Sequence, residues 1–196
     1  MLLVALGLFI LWDGAGSPED ATAQPPASQA AVVIAPESSP TGTASPVAAP
    51  RLGVRPEVVV VPALGVRAAV LPIATVDGAL TPPADPQQLG WWSGGSRAGA
   101  DTGASVLTGH TVLTGGGALD DLEVLSSGDR VVVESGPEQV TYEVDSVRVL
   151  SRDELARGSA DLFSRSGPGR LVLITCEDWD GTAYRSNVVV IARPTR

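Results

Sequence analysis

Arg170-Leu171-Val172-Leu173-Ile174-Thr175-Cys176 and, a short loop later, Val188-Val189-Val190-Ile191 are the stretches that decide how this chain folds. Each is a short run of branched apolar residues, the composition of a strand buried on both faces. Between them lies Glu177-Asp178-Trp179-Asp180-Gly181, which reads as a polar loop. Strands this apolar are poorly suited to an open edge, which closing the sheet would remove.

Outward from these runs, the same enrichment or a two-residue alternation predicts strands over 58–61, 67–71, 105–108, 130–134, 140–150, 170–175 and 188–193. Helical signal is sparse. A short helix is expected over 118–125, with Asp120 and Asp121 at its start, and Ser151-Arg152-Asp153-Glu154-Leu155 reads as a capped turn. Many short strands separated by Gly-rich turns indicate an all-β barrel or sandwich. No internal repeat is visible, so the domain is one unit.

The folded part begins at about residue 51. Residues 13–50 are rich in Ala, Pro, Ser, Thr and Gly and nearly lack aromatic side chains, so they cannot bury enough apolar surface to offset the entropy of ordering. They are expected to be a disordered spacer. Residues 1–12 are apolar apart from Gly7, but a bilayer span needs about 20 such residues, so this segment is expected to be a truncated membrane anchor. The expected organisation is therefore anchor 1–12, spacer 13–50 and domain 51–196.

A net charge of −9, with 13 basic residues that are all Arg against 22 acidic ones, argues against nucleic acid as a partner. One Cys excludes an internal disulfide, and one Cys with one His excludes a four-ligand Cys/His zinc site. No EF-hand spacing is present, so no metal is assigned.

Those two singletons are the candidates for chemistry. Cys176 ends an apolar strand, and a thiol displayed at a strand-to-loop edge is a candidate nucleophile. Glu177 and Asp178 oppose thiolate formation if they face the sulfur, so activation calls for a cation. His110 closes Val106-Leu107-Thr108-Gly109-His110 at the end of another apolar strand. Arg185 opens the last strand in Tyr184-Arg185-Ser186-Asn187, where alternation sets it on one face with Asn187, Val189 and Ile191. It is a candidate donor to an oxyanion.

Thr108-Gly109-His110, Ile174-Thr175-Cys176 and Tyr184-Arg185-Ser186-Asn187-Val188-Val189-Val190 together resemble the sortase family, and look most like its class F branch. Gly90-Trp91-Trp92 and Gly128-Asp129-Arg130-Val131 are also similar, so the resemblance runs over about 58–192. It implies a closed eight-stranded β-barrel with one or two short helices and a catalytic set of Cys176, His110 and Arg185 that needs no cofactor. It also implies cleavage of a Leu-Pro-x-Thr-Gly sorting signal between Thr and Gly, a thioester intermediate, and transfer to an amine of a cell-wall precursor on the extracytoplasmic face of the membrane. Thr175, Trp91, Trp92, Tyr184 and Asn187 are candidates to line the peptide groove. For the adjacent Trp residues, one in the core and one at the rim is the competing reading. Two other functions stand against the whole: an L,D-transpeptidase, disfavoured because His110 precedes Cys176 by 66 residues, and a catalytically idle peptide-binding barrel.

Overall fold

The computed structural model describes residues 8–9, 49–76, 78–179, 182 and 184–195. Among them, eight strands close into a barrel: Val58–Val61 (β2), Val66–Ile73 (β3), Leu89–Trp92 (β6), Ala104–Thr108 (β7), Arg130–Ser135 (β8), Glu138–Ser151 (β9), Arg170–Trp179 (β10) and Tyr184–Pro194 (β11). Their order around the barrel is β10-β11-β9-β8-β2-β3-β6-β7. Most neighbours are antiparallel, but β3 with β6 and β7 with β10 are parallel. Closure removes the edges that the Val-rich strands would otherwise expose.

A small separate sheet pairs Leu8–Phe9 (β1), Ala79–Leu80 (β5) and Thr75–Val76 (β4). The other residues of the apolar amino-terminal run, and 13–48 of the expected spacer, lie outside the described residues. Among the described residues no helix is long and apolar enough to cross a membrane.

Strand alternation sorts side chains into two apolar layers. Leu171, Leu173, Val188, Val190, Leu107, Val59, Val131 and Tyr142 fill the barrel interior. Their neighbours Val172, Ile174, Val189 and Val106 face outward into a second cluster with Leu155, Leu162 and Phe163. That cluster is covered by the α-helix Arg152–Leu162 (α1).

The expected capped turn at Ser151 is the start of this 11-residue helix. Its capping box is complete: Ser151 Oγ accepts from the Glu154 N–H at 3.2 Å, and the Glu154 carboxylate accepts from the Ser151 N–H at 2.9 Å. The Ser151 hydroxyl also donates to the Glu154 carboxylate at 2.7 Å, and this bond, with that from the Ser151 N–H, holds the Glu154 carboxyl below its ordinary value. At the other end, the Arg170 guanidinium that opens β10 donates to the Asp161 and Leu162 carbonyls, pinning the helix terminus to the barrel.

The helix expected over 118–125 is a correction. Only Leu122–Val124 forms a single 3₁₀ turn, capped by Asp121 without a side-chain bond, because the Asp120 carboxylate is engaged elsewhere. A second correction concerns β10, which does not end at Cys176 but runs on to Trp179, opposite Tyr184 of β11.

Candidate active site

The β10–β11 hairpin outruns the strand on its other side. β7 leaves the ladder at Thr108, opposite Ile174, whereas pairing with β11 continues through Cys176–Asn187 and Glu177–Ser186. Cys176 therefore lies within a strand, not at its end. One flank is held by β11 and the other meets the chain that follows β7. The residue is half-buried.

That neighbouring chain carries His110. Every pair of the parallel β7–β10 ladder, from Ala104–Arg170 to Thr108–Ile174, is separated by 66 residues, and so are His110 and Cys176. The ladder itself ends two residues short of both, at Thr108–Ile174, and the chain past it is held to β10 by other bonds. Past Thr108 the backbone makes one more bond, Gly109 N–H to the Ile174 carbonyl at 3.1 Å. Hydroxyls then take over. Thr175 Oγ1 donates to the Gly109 carbonyl at 3.2 Å and lies 2.6 Å from Thr111 Oγ1, which in turn donates to the Cys176 carbonyl. His110 is thus flanked on both sides, at Gly109 and Thr111, by residues bonded to β10.

The loop beyond His110 is folded back by Asp120. Its carboxylate accepts from the Val112 N–H at 2.7 Å and from the Gly117 N–H at 2.8 Å. Gly117 is packed so closely that an added Cβ would sit 2.4 Å from Asp120 Oδ1 and 2.6 Å from the His110 carbonyl, contacts that real Cβ atoms do not make.

Arg185 is in β11, two residues before Asn187. Cross-strand partners share a face, as do residues two apart, so Cys176, Asn187 and Arg185 belong to one face of the hairpin. Further along the strands that face carries Val172, Ile174 and Val189, so the site adjoins the outer apolar layer and not the barrel interior. Arg185 is exposed and Asn187 is 2% exposed.

The remaining expected groove residues divide. Trp91 is buried in the barrel core, where its indole N–H donates to the Ser96 carbonyl at 3.2 Å, so it lines no surface groove. Trp92 faces the outer layer and meets Phe163 edge-on, with ring centroids 6.1 Å apart. Thr175 is 1% exposed and points to the tether just described instead of to a groove. Tyr184 opens β11 opposite Trp179, and its side chain, like those of Glu177 and Asp178, lies outside the described residues. Among the described residues, no three His, Cys, Asp or Glu side chains gather as a metal site.

Sequence reasoning missed Thr111 and the structural use of Asp120. Thr111 directly follows His110, but its partner lies 65 residues away, and only the ladder register connects the two.

The family model of the sortase domain matches residues 59–195. Among solved structures, the chain is similar to sortase C-1 from Actinomyces oris, at 27% identity and a TM-score of 0.56 over 71% of this chain and 73% of that one. Sortase C from Clostridium perfringens SM101 aligns at 19% identity and a TM-score of 0.54 over 74% of this chain and 72% of that one. Sortase A from Corynebacterium diphtheriae aligns at 20% identity and a TM-score of 0.56, over 71% of this chain but 60% of that protein's length. The last two show a common fold. No match was found among curated proteins. With the family's domain matched from the first strand of the barrel to the last, the chain belongs to the sortase family.

Proposed function

We propose that this sortase cuts a Leu-Pro-x-Thr-Gly sorting signal between Thr and Gly and joins the Thr to an amine of a cell-wall precursor, using Cys176, His110 and Arg185. Family and fold make the chain a cell-wall cysteine transpeptidase. The peptide, the acceptor and the three residue roles are the further step, as is a class F affinity, which rests on the motifs around His110, Cys176 and Arg185.

In this reading the Cys176 thiolate adds to the Thr carbonyl carbon, and the oxyanion that develops is met by the Arg185 guanidinium. Collapse breaks the Thr–Gly bond while the His110 imidazolium gives its proton to the departing Gly amine, leaving a Thr thioester on Cys176. The acceptor amine then loses a proton to the neutral imidazole and attacks the thioester. A new amide forms and the thiolate is expelled with His110 protonated again, so no external proton or electron is consumed.

The observation that carries the reading is the shared separation of 66 residues between the β7–β10 ladder pairs and between His110 and Cys176. Supporting it, Gly109 and Thr111 on either side of His110 are bonded to Thr175 and Cys176 of β10, and Arg185 shares the Cys176 face of the hairpin. The site faces outward beside an apolar layer, which suits an extended peptide better than a buried small molecule. We place the reaction outside the cytoplasm at the wall, with residues 13–50 as a spacer.

A fluorogenic Leu-Pro-x-Thr-Gly peptide tests this. The wild-type chain is expected to cleave it, and Cys176→Ala to lose about 10³-fold or more with unchanged thermal unfolding. A wild type that binds the peptide without cutting it would instead identify an idle peptide-binding barrel.

A further inference from the structure

The hydroxyl of Thr111 makes the connection at which the two halves of the site meet, and nothing in the reaction as written uses it. It lies 2.6 Å from Thr175 Oγ1 and donates to the carbonyl of Cys176 itself. We propose that Thr111 is a positioning residue for the transfer reaction, clasping the His110 loop to the peptide group of Cys176. The proposal rests on the roles given above to Cys176 and His110.

Counting protons fixes the direction of the clasp. Three oxygen–oxygen contacts link Gly109, Thr175, Thr111 and Cys176, but the two threonines bring only two hydroxyl hydrogens. A carbonyl cannot donate, so the hydrogen of Thr111 goes to the Cys176 carbonyl. The hydrogen of Thr175 is then shared between Thr111 Oγ1 at 2.6 Å and the Gly109 carbonyl at 3.2 Å. The result is a directed chain, Thr175 to Thr111 to Cys176, in which each bond polarises the next.

Its location makes it a positioning device and not general packing. Backbone pairing between β7 and β10 stops at Thr108–Ile174, with one further bond from Gly109. His110 comes next. Its distance from the thiol is therefore set by whatever holds Thr111 to Cys176 on one side and Gly109 to Thr175 on the other. A methyl group in place of the Thr111 hydroxyl removes the first tie. Thr175 keeps the second, because its hydrogen still reaches Gly109. Such a variant keeps the barrel seam and releases only the histidine side of the site.

The test compares Thr111→Val and Thr111→Ser with wild type, Cys176→Ala and His110→Ala, all as full-length chains, using the same fluorogenic peptide, thermal unfolding, and the pH dependence of Cys176 alkylation by iodoacetamide. Because a displacement of about 1 Å can cost about 10²-fold, kcat of Thr111→Val is expected to fall about ten- to a hundredfold while KM moves less than about threefold. The pH midpoint of alkylation is expected to move from its wild-type value as the thiol loses its imidazole neighbour. Thr111→Ser, which keeps the hydroxyl, is expected to return kcat to within about threefold of wild type. The proposal is overturned if Thr111→Val keeps wild-type kcat, if Ser fails to rescue, or if the loss follows a lowered unfolding temperature with the alkylation midpoint unmoved. If cleavage survives both Cys176→Ala and His110→Ala, or the wild type does not cleave, the site reading fails and Thr111 falls with it. Loss in both of those variants beside an active Thr111→Val sinks the positioning role alone.

Discussion

The barrel has two parallel seams, and they end in the same way with different consequences. Where β3 leaves β6 after Ile73–Trp92, Ser93 turns back and places both its N–H, at 2.9 Å, and its Oγ, at 3.0 Å, on the Ile73 carbonyl. Where β7 leaves β10 after Thr108–Ile174, Thr175 and Thr111 place their hydroxyls on the Gly109 and Cys176 carbonyls. A parallel pair cannot be closed by a tight hairpin, so its frayed end needs side-chain bonds to satisfy backbone carbonyls. Ser93 does this beside a glycine turn packed on Trp92. The second seam does it around the chain's sole thiol and sole imidazole. The fastening is generic, and the two seams differ in which residues stand next to it.

The largest effect that would break this contrast is expected from Asp120→Ala. It leaves the Val112 and Gly117 N–H groups without their carboxylate acceptor and loosens the loop behind His110. Peptide cleavage should fall by about tenfold or more, with a stability loss of about 1–3 kcal/mol in denaturant titration. If activity were untouched, the second seam would be as inert a fastening as the first.

The chain that joins the two seams supplies the next test. Gly99, between β6 and β7, donates its N–H to the Tyr142 hydroxyl of β9 at 2.6 Å. Burial pushes the Tyr142 phenol up to about 12, with the Gly99 N–H pulling weakly the other way. A phenol that ionises near 10 when unfolded but near 12 when folded stabilises the barrel fully below about pH 10. That contribution, at most about 2–3 kcal/mol, is lost as pH rises from about 10 to 12. Urea titrations across this range should show the decline, and Tyr142→Phe should flatten it.

Ser93→Ala is the smallest expected effect and the sharpest control. Losing its hydroxyl bond at the chemically silent seam should cost about 0.5–1.5 kcal/mol. The cleavage rate should stay at the wild-type value, and a matching drop in kcat would show the two seams to be coupled.

What was legible beforehand follows from the range of the forces involved. β2 is found at 58–61 as expected, and 105–108, 130–134, 140–150 and 188–193 fall inside β7, β8, β9 and β11, because alternation and branched side chains act locally. β6 was missed. It is four residues long and contains Gly90, where a Cβ would lie 2.6 Å from the Ile73 side chain, so its glycine answers to a neighbouring strand and not to local preference. α1 was under-read as a turn because Gly158 and Ser159 weaken its helical signal, while packing of Leu155 and Leu162 on the barrel compensates. Glu177 and Asp178 made β10 look finished at Cys176, although pairing with β11 carries it three residues further. Asp120 read as a helix start because carboxylates cap helices, and only the folded loop reveals that Val112 and Gly117 claim it instead.

For the candidate site, Cys176 and His110 were legible because the chain has one cysteine and one histidine, and Arg185 by its place at the head of the last strand, but the bonds that hold the His110 loop to β10 are a product of register. Thr111 carries no local signature, because its partners Thr175 and Cys176 lie on another strand, a contact that a single sequence does not display.

The parallel pairing of β7 with β10 also sets an order of events during biogenesis. Its two strands are distant in the chain, so joining them requires a long loop to close, a slow and entropically unfavourable step that local hairpins do not face. Until β10 docks, the segment that follows β7 and the strand that holds Cys176 remain apart, so the bonds from Thr111 and Thr175 are among the late contacts of the barrel.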